Sequence, residues 1–238
     1  MPPDAGTLYL IPVALYEGAT LDTLPPATLA VMRKLDTFIV ENAKSARHFL
    51  KAAGYPRPLQ QARFHVLDEH TRETALDALI APLLAGEDCG LMSEAGCPAV
   101  ADPGAALVRR AHAAGIRVAP LAGPSSILLA LMACGMDGQR FAFHGYLPVD
   151  KAQRSLTIKA LDAAAGAATQ IFIETPYRNA ALLQALIENC RPDTLLCVAA
   201  DLTGPSEFVA TRTVAAWEKK PPLLDRQPAV FLLYRARP

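Results

Sequence analysis

Four short stretches of the 238-residue sequence hold residue types that can do chemistry. Glu41 follows the apolar run Thr37–Val40, and a carboxylate at a strand end can take a hydroxyl proton or bind a ribose. A helix-start carboxylate favoured by the macrodipole is the plain alternative. Glu69 and His70 follow Arg63–Leu67. A neutral imidazole accepts a hydroxyl proton; the alternative is that Asp68 or Thr71 caps a helix whose first turn holds the pair. The third stretch runs from Ser93 to Gly104 and reads Ser-Glu-Ala-Gly-Cys-Pro-Ala-Val-Ala-Asp-Pro-Gly. Side chains as small as Ser93, Ala95 and Gly96 let a ligand touch backbone N–H and C=O directly; an ordinary loop with two turns is the bland reading. Fourth, Lys151 and Arg154 open a helical pattern and are candidate contacts for backbone phosphates, with a solvated helix face as the alternative.

These residues need a scaffold, and the pattern supplies one. Strands are expected at Thr7–Ile11, Thr37–Val40, Arg63–Leu67, Cys89–Met92 and Arg117–Leu121. Helical patterns lie between them: Leu24–Leu35 capped by Thr23, a stretch continuing through His48–Ala53, Thr74–Ala85, and Ala105–Ala114 closed by Gly115. Repeated βαβ units imply a parallel sheet with helices on both faces, whose carboxyl edge carries Glu41, Glu69, His70 and Ser93. Beyond a loop at Ala122–Ser126, the pattern predicts helices Ile127–Cys134, Lys151–Ala164 and Asn179–Asn189. It also predicts strands Thr169–Ile173, Leu195–Ala199, Phe208–Thr213 and Ala229–Tyr234, with a helix fragment around Trp217.

Composition sets limits. A 52% hydrophobic content over this length buries a sizeable core, in one large domain or two small ones. Charges balance at 23 against 23, so no global electrostatic footprint for nucleic acid is present, although a local basic patch fits a neutral total. Five cysteines without a C-x-x-C pair read as free thiols in a reducing compartment. The apolar run Leu8–Leu15 is eight residues long, interrupted by Pro12 and without a basic flank. It fits neither a signal peptide nor a membrane span, so a cytoplasmic location is expected.

The Ser93–Gly104 stretch resembles the S-D-A-G-T-P-x-I-x-D-P-G signature of the class III S-adenosylmethionine methyltransferases, the tetrapyrrole methylase superfamily. Its branch is that of ribosomal RNA small subunit methyltransferase I. Twelve positions align, with Glu94 and Cys97 among the departures. The similarity runs from about Gly6 to Tyr234. Pro12 matches the strand-ending proline, while the family's T-P-I-G-N is lost at 13–17. Glu41 alone survives of E-D-T-R, with Asn42 in place of the aspartate, and Glu69-His70 matches E-H-N. Ala122–Ser126 resembles P-G-P-[SC]-[SA] with Ala122 in place of the first proline, Arg140–Pro148 resembles R-F-x-F-x-G-F-L-P with Tyr146 in place of a phenylalanine, and Lys151 with Arg154 matches a basic pair. Glu174-Thr-Pro-Tyr-Arg178 is close to Y-E-S-P-H-R, and Asp201-Leu-Thr-Gly is close to R-E-L-T-K. Many members of the branch carry a further C-terminal extension beyond the end of this sequence.

The resemblance implies two α/β domains, 1–121 with a parallel sheet and 122–238 with a mixed sheet, and a ligand cleft between them. It implies S-adenosyl-L-methionine bound in a bent form, a homodimer, and no metal. Pro12, Ser93, Glu94, Ala95, Gly96, Pro98, Ser125, Ser126, Thr175, Tyr177 and Leu202 would lie around the donor. Lys151, Arg154 and Arg178 would face the substrate, and His70, Glu41 or Glu69 would take the proton. Within the branch the reaction is methylation of a cytidine 2′-hydroxyl in small-subunit ribosomal RNA. A methyltransferase of the same fold acting on a small molecule such as a tetrapyrrole stays open, as does a non-catalytic nucleotide binder.

Overall fold

The computed structural model describes residues 5–224 and 226–235. The chain forms two compact units that divide between Ser125 and Ser126.

The first unit contains β1 (Thr7–Leu10), α1 (Thr20–Thr23), α2 (Pro26–Met32), β2 (Thr37–Val40), α3 (Ala43–Ala52), β3 (Arg63–Val66), α4 (Leu76–Leu84), β4 (Cys89–Met92), α5 (Gly104–Ala113) and β5 (Arg117–Pro120). The strands lie in the order β3-β2-β4-β1-β5, and every pairing is parallel. All four residues of β2 and of β4 are buried, as expected for inner strands covered on both faces. Leu29 and Met32 of α2 and Phe49 and Leu50 of α3 pack with Phe38, Val40 and Met92 on one face. On the other face, Ile80 and Leu83 of α4 and Leu107 of α5 pack with Leu8, Ile39 and Leu91. The connections from β1 and β2 therefore cross one face and that from β4 crosses the other. Loops that part in this way open a crevice at the carboxyl end of β4.

One expected element is corrected. Thr23 does not cap a helix over Leu24–Leu35: it ends α1 and donates its hydroxyl to the Ala19 carbonyl at 2.7 Å. Pro25 and Pro26 break the run, and Pro26 becomes the first residue of the shorter α2.

The second unit contains α6 (Ser126–Ala133), β6 (Phe141–Tyr146), α7 (Lys151–Ala164), β7 (Thr169–Glu174), α8 (Asn179–Asn189), β8 (Leu195–Ala200), β9 (Phe208–Thr213), α9 (Val214–Lys219) and β10 (Ala229–Tyr234). Its sheet has the order β6-β7-β10-β8-β9, with β6 and β7 parallel and the other pairs antiparallel. Phe172 and Phe231 stack at 6.0 Å in its core. Buried Trp217 donates its indole N–H to the Leu196 carbonyl at 2.8 Å. The two sheets, one parallel and one mixed, are those implied by the sequence. No helix among the described residues is long and apolar enough to cross a membrane.

Candidate active site

At the carboxyl edge of the first sheet, the loops leaving β1 and β4 are tied together. Val13 and Gly96 exchange two backbone hydrogen bonds, both 2.9 Å, as an isolated antiparallel bridge. Gly96 has φ +73°, a left-handed conformation that favours glycine. A Cβ there would meet only ordinary contacts, Leu15 Cδ2 at 3.5 Å and Pro124 O at 3.9 Å, so space remains beside this backbone. The chain leaving β5 closes on the same place. A Cβ on Gly123 would lie 2.4 Å from Pro12 Cβ, and the Thr28 hydroxyl donates to the Ala122 carbonyl at 2.7 Å.

The loop after β4 is held in strain by one carboxylate. Both Asp102 oxygens accept from the Ala99 N–H at 2.9 Å, and Oδ1 also accepts from the Gly104 N–H at 2.8 Å. Between them Ala99 (φ 66°) and Ala101 (φ 63°) sit in the left-handed region, where a side chain is costly. Burial raises the proton affinity of Asp102, against those hydrogen bonds.

Glu41, at the carboxyl end of β2, is half-buried beside this loop. Its carboxyl is pushed above its ordinary value first by burial, then by the charges of Asp102 and Glu94, while a hydrogen bond from the Glu94 N–H pulls it down. Asn42, the departure from the family pattern, is the cap of α3: its Oδ1 accepts from the N–H of Lys44 (2.8 Å) and Ser45 (3.4 Å).

Next to these loops lies a cavity of about 420 Å³, lined by residues from 13–20, 42–49 and 94–95. Val13, Leu15 and Phe49 give it an apolar wall. The Ser45 hydroxyl meets Glu94 Oε1 at 3.3 Å, and His48 Nδ1 lies 3.9 Å from Glu17 Oε1. The sequence does not single out Glu17, Lys44 or Ser45, and His48 has a weaker claim there than His70. The Asn42-x-x-Ser45 spacing of a helix start was the available signal.

Glu69 and His70 lie elsewhere on the edge. Both side chains are 84% exposed and meet each other at 3.6 Å. Asp68 organises their turn by accepting from the His70 N–H (3.0 Å) and the Thr71 hydroxyl (2.8 Å), and α4 begins only at Leu76. Of the residues assigned to the donor by resemblance, Pro12, Gly96 and Pro98 are buried, Ser93 and Ser125 half-buried, and Glu94 and Ala95 exposed.

Ser126, by contrast, opens α6 in the second unit. There, buried Glu174 accepts at Oε1 from the Thr175 N–H (2.7 Å) and from Arg178 Nε (2.9 Å) and Nη2 (2.6 Å), so the Arg178 guanidinium is engaged. Tyr177 is 79% exposed beneath the Arg226 guanidinium at 5.4 Å. Leu202 is buried between Asp201 (φ 50°) and Thr203 (φ 67°), so the β8 loop is strained as the β4 loop is. Lys151 is exposed at the start of α7, and Arg154 Nη1 donates to the Val149 carbonyl at 3.1 Å.

Residues 19–217 match the family model of the Tetrapyrrole (Corrin/Porphyrin) Methylases. The chain belongs to the tetrapyrrole methylase family. It is similar to the ribosomal RNA small subunit methyltransferase I of Xylella fastidiosa (strain Temecula1 / ATCC 700964). That protein is 34% identical over 210 residues, covering 88% of this chain and 73% of the relative. The protein of the same name from Mesorhizobium japonicum is 37% identical over 207 residues, 85% of this chain and 68% of the relative. Among solved structures, diphthine synthase is similar in fold, with a TM-score of 0.66 at 17% identity over 96% of this chain and 90% of that one. The enzymatic class of this tetrapyrrole methylase family member is that of a methyltransferase.

Proposed function

We propose that the protein transfers a methyl group from S-adenosylmethionine to the 2′-hydroxyl of a cytidine in small-subunit ribosomal RNA. The loop Ser93–Gly104 carries this reading: it matches the family signature and lies at the carboxyl end of β4, where the crevice opens. The residues present fit the donor. Small side chains and the open space at Gly96 leave backbone groups accessible, and the Glu94 carboxylate is an acceptor suited to ribose hydroxyls. Pro12, Ser93, Glu94, Ala95, Gly96, Pro98 and Ser125 are the first unit's set for holding it.

S-adenosylmethionine supplies an electrophilic methyl carbon when bound. The chain's own task is to hold the acceptor oxygen in line, exclude water and take the hydroxyl proton. Glu41 is the better placed acceptor of that proton. It is half-buried next to the β4 loop, and a carboxylate of raised proton affinity is a stronger base. His70 and Glu69 stand in solvent. Lys151 and Arg154 supply contacts to RNA phosphates, and the enzyme works as a homodimer, which light scattering reads directly.

Calorimetry tests the donor assignment. S-adenosylhomocysteine is expected to bind and NAD to leave no heat. Equal binding of both, or of NAD alone, would return the chain to the nucleotide binders.

A further inference from the structure

We propose that the cavity between the β1 loop, α1 and α3 is the seat of a single unstacked cytidine nucleotide of the acceptor RNA. This rests on the RNA-methyltransferase reading and names the part of the first unit that would receive the substrate. At about 420 Å³ the cavity lies at the low end of the ~300–1,000 Å³ occupied by pockets for single small molecules. A base pair in a helix does not fit such a space, so the nucleotide must be unstacked, as is usual for enzymes acting on single nucleotides.

The lining suits one nucleotide. The apolar wall of Val13, Leu15 and Phe49 offers a surface to a base face. Lys44 brings a cation for the phosphate. The α3 N-terminus itself cannot serve there, because Asn42 already takes the N–H groups of Lys44 and Ser45. Glu17 is the informative residue. A carboxylate in a nucleic-acid site repels phosphate and accepts hydrogen bonds only, which suits the exocyclic amine of cytosine and opposes the O4 carbonyl of uracil. Its Oε1 lies 3.9 Å from His48 Nδ1, so the two side chains neighbour each other in the lining. His48 adds a planar ring to the same wall.

Placement also matches the chemistry. Glu94 and Ala95 of the donor loop line the cavity, and the adjoining Gly96 is bridged to Val13 of its wall. Asn42 of the lining directly follows Glu41, which accepts from the Glu94 N–H.

The test is a titration of the isotope-labelled full chain with cytidine 5′-monophosphate, followed by amide shifts. Shifts are expected at Lys44, Ser45 and His48, with uridine 5′-monophosphate binding roughly tenfold more weakly. Glu17→Gln should remove most of that preference, and Lys44→Ala should weaken the nucleotide but not cytidine. In methyl transfer to small ribosomal subunits, Lys44→Ala with His48→Ala should raise KM for subunits about tenfold or more, with S-adenosylhomocysteine affinity unchanged. Lys51→Ala, on the same helix, should behave as wild type. Equal affinity for the two nucleotides would overturn the proposal, as would mutual displacement of cytidine 5′-monophosphate and S-adenosylhomocysteine, or an unchanged KM. If the wild-type chain methylates no subunit, the functional reading fails instead, and the nucleotide titration alone decides the cavity.

Discussion

Glu41 ties stability to chemistry at the scale of one residue. Burial, Asp102 and Glu94 raise its folded pKa above the ordinary 4.5. Its stabilising contribution is therefore full below 4.5 and is lost as pH rises through the folded value, so the ionised carboxylate costs stability at neutral pH. Glu41→Gln keeps an acceptor for the Glu94 N–H. It should melt above wild type at pH 7, with the difference closing as the pH approaches 4.5. A lower melting temperature at pH 7, or a difference independent of pH, would refute the burial of this charge. The same variant should lose roughly 10²–10⁴-fold in turnover while S-adenosylhomocysteine affinity holds, and His70→Ala should keep wild-type turnover. The opposite pattern would move the proton to His70. Sequence put His70 ahead of Glu41, which showed only through a single matched position. The proposed reverse order depends on burial, which the spacing of residues does not record. Asn42 read as a lost aspartate, whereas its oxygen caps α3.

Among the elements, the loop between β4 and α5 depends most on one side chain. Asp102 satisfies the Ala99 and Gly104 N–H groups and so keeps Ala99 and Ala101 left-handed. Asp102→Ala should release both groups and let the alanines relax, at a cost of about 1–3 kcal/mol in denaturant unfolding. Donor affinity should fall with it, and Asp102→Asn should be milder. Unchanged S-adenosylhomocysteine affinity in Asp102→Ala would show that the loop does not shape the donor site. The Asp-Pro-Gly turn was legible in the sequence. The strained alanines were not, because alanine has no preference for that conformation and only the tertiary hydrogen bonds impose it. Strand β6 was likewise known only as a matched motif, since its residues alternate little in burial.

For the whole molecule, alternating apolar runs and helical patterns gave the parallel sheet, because βαβ repetition admits few arrangements. The cavity is not legible in the sequence, since its walls come from segments distant along the chain that meet only on folding. Charge balance likewise hid any local basic surface. Lys151→Ala with Arg154→Ala should weaken RNA binding, leave donor affinity intact, and flatten the salt dependence by about 0.7 in log–log slope per lost phosphate contact. An unaltered slope would remove both cations from the RNA path. The central claim meets its most direct test in methyl transfer itself. The protein is incubated with methyl-labelled S-adenosylmethionine and small ribosomal subunits from a methylation-deficient strain, and the RNA is hydrolysed in alkali. A 2′-O-methyl group blocks cleavage at its own nucleotide, so label is expected in alkali-resistant dinucleotides beginning with cytidine. Label in mononucleotides, or none in RNA, would contradict the account.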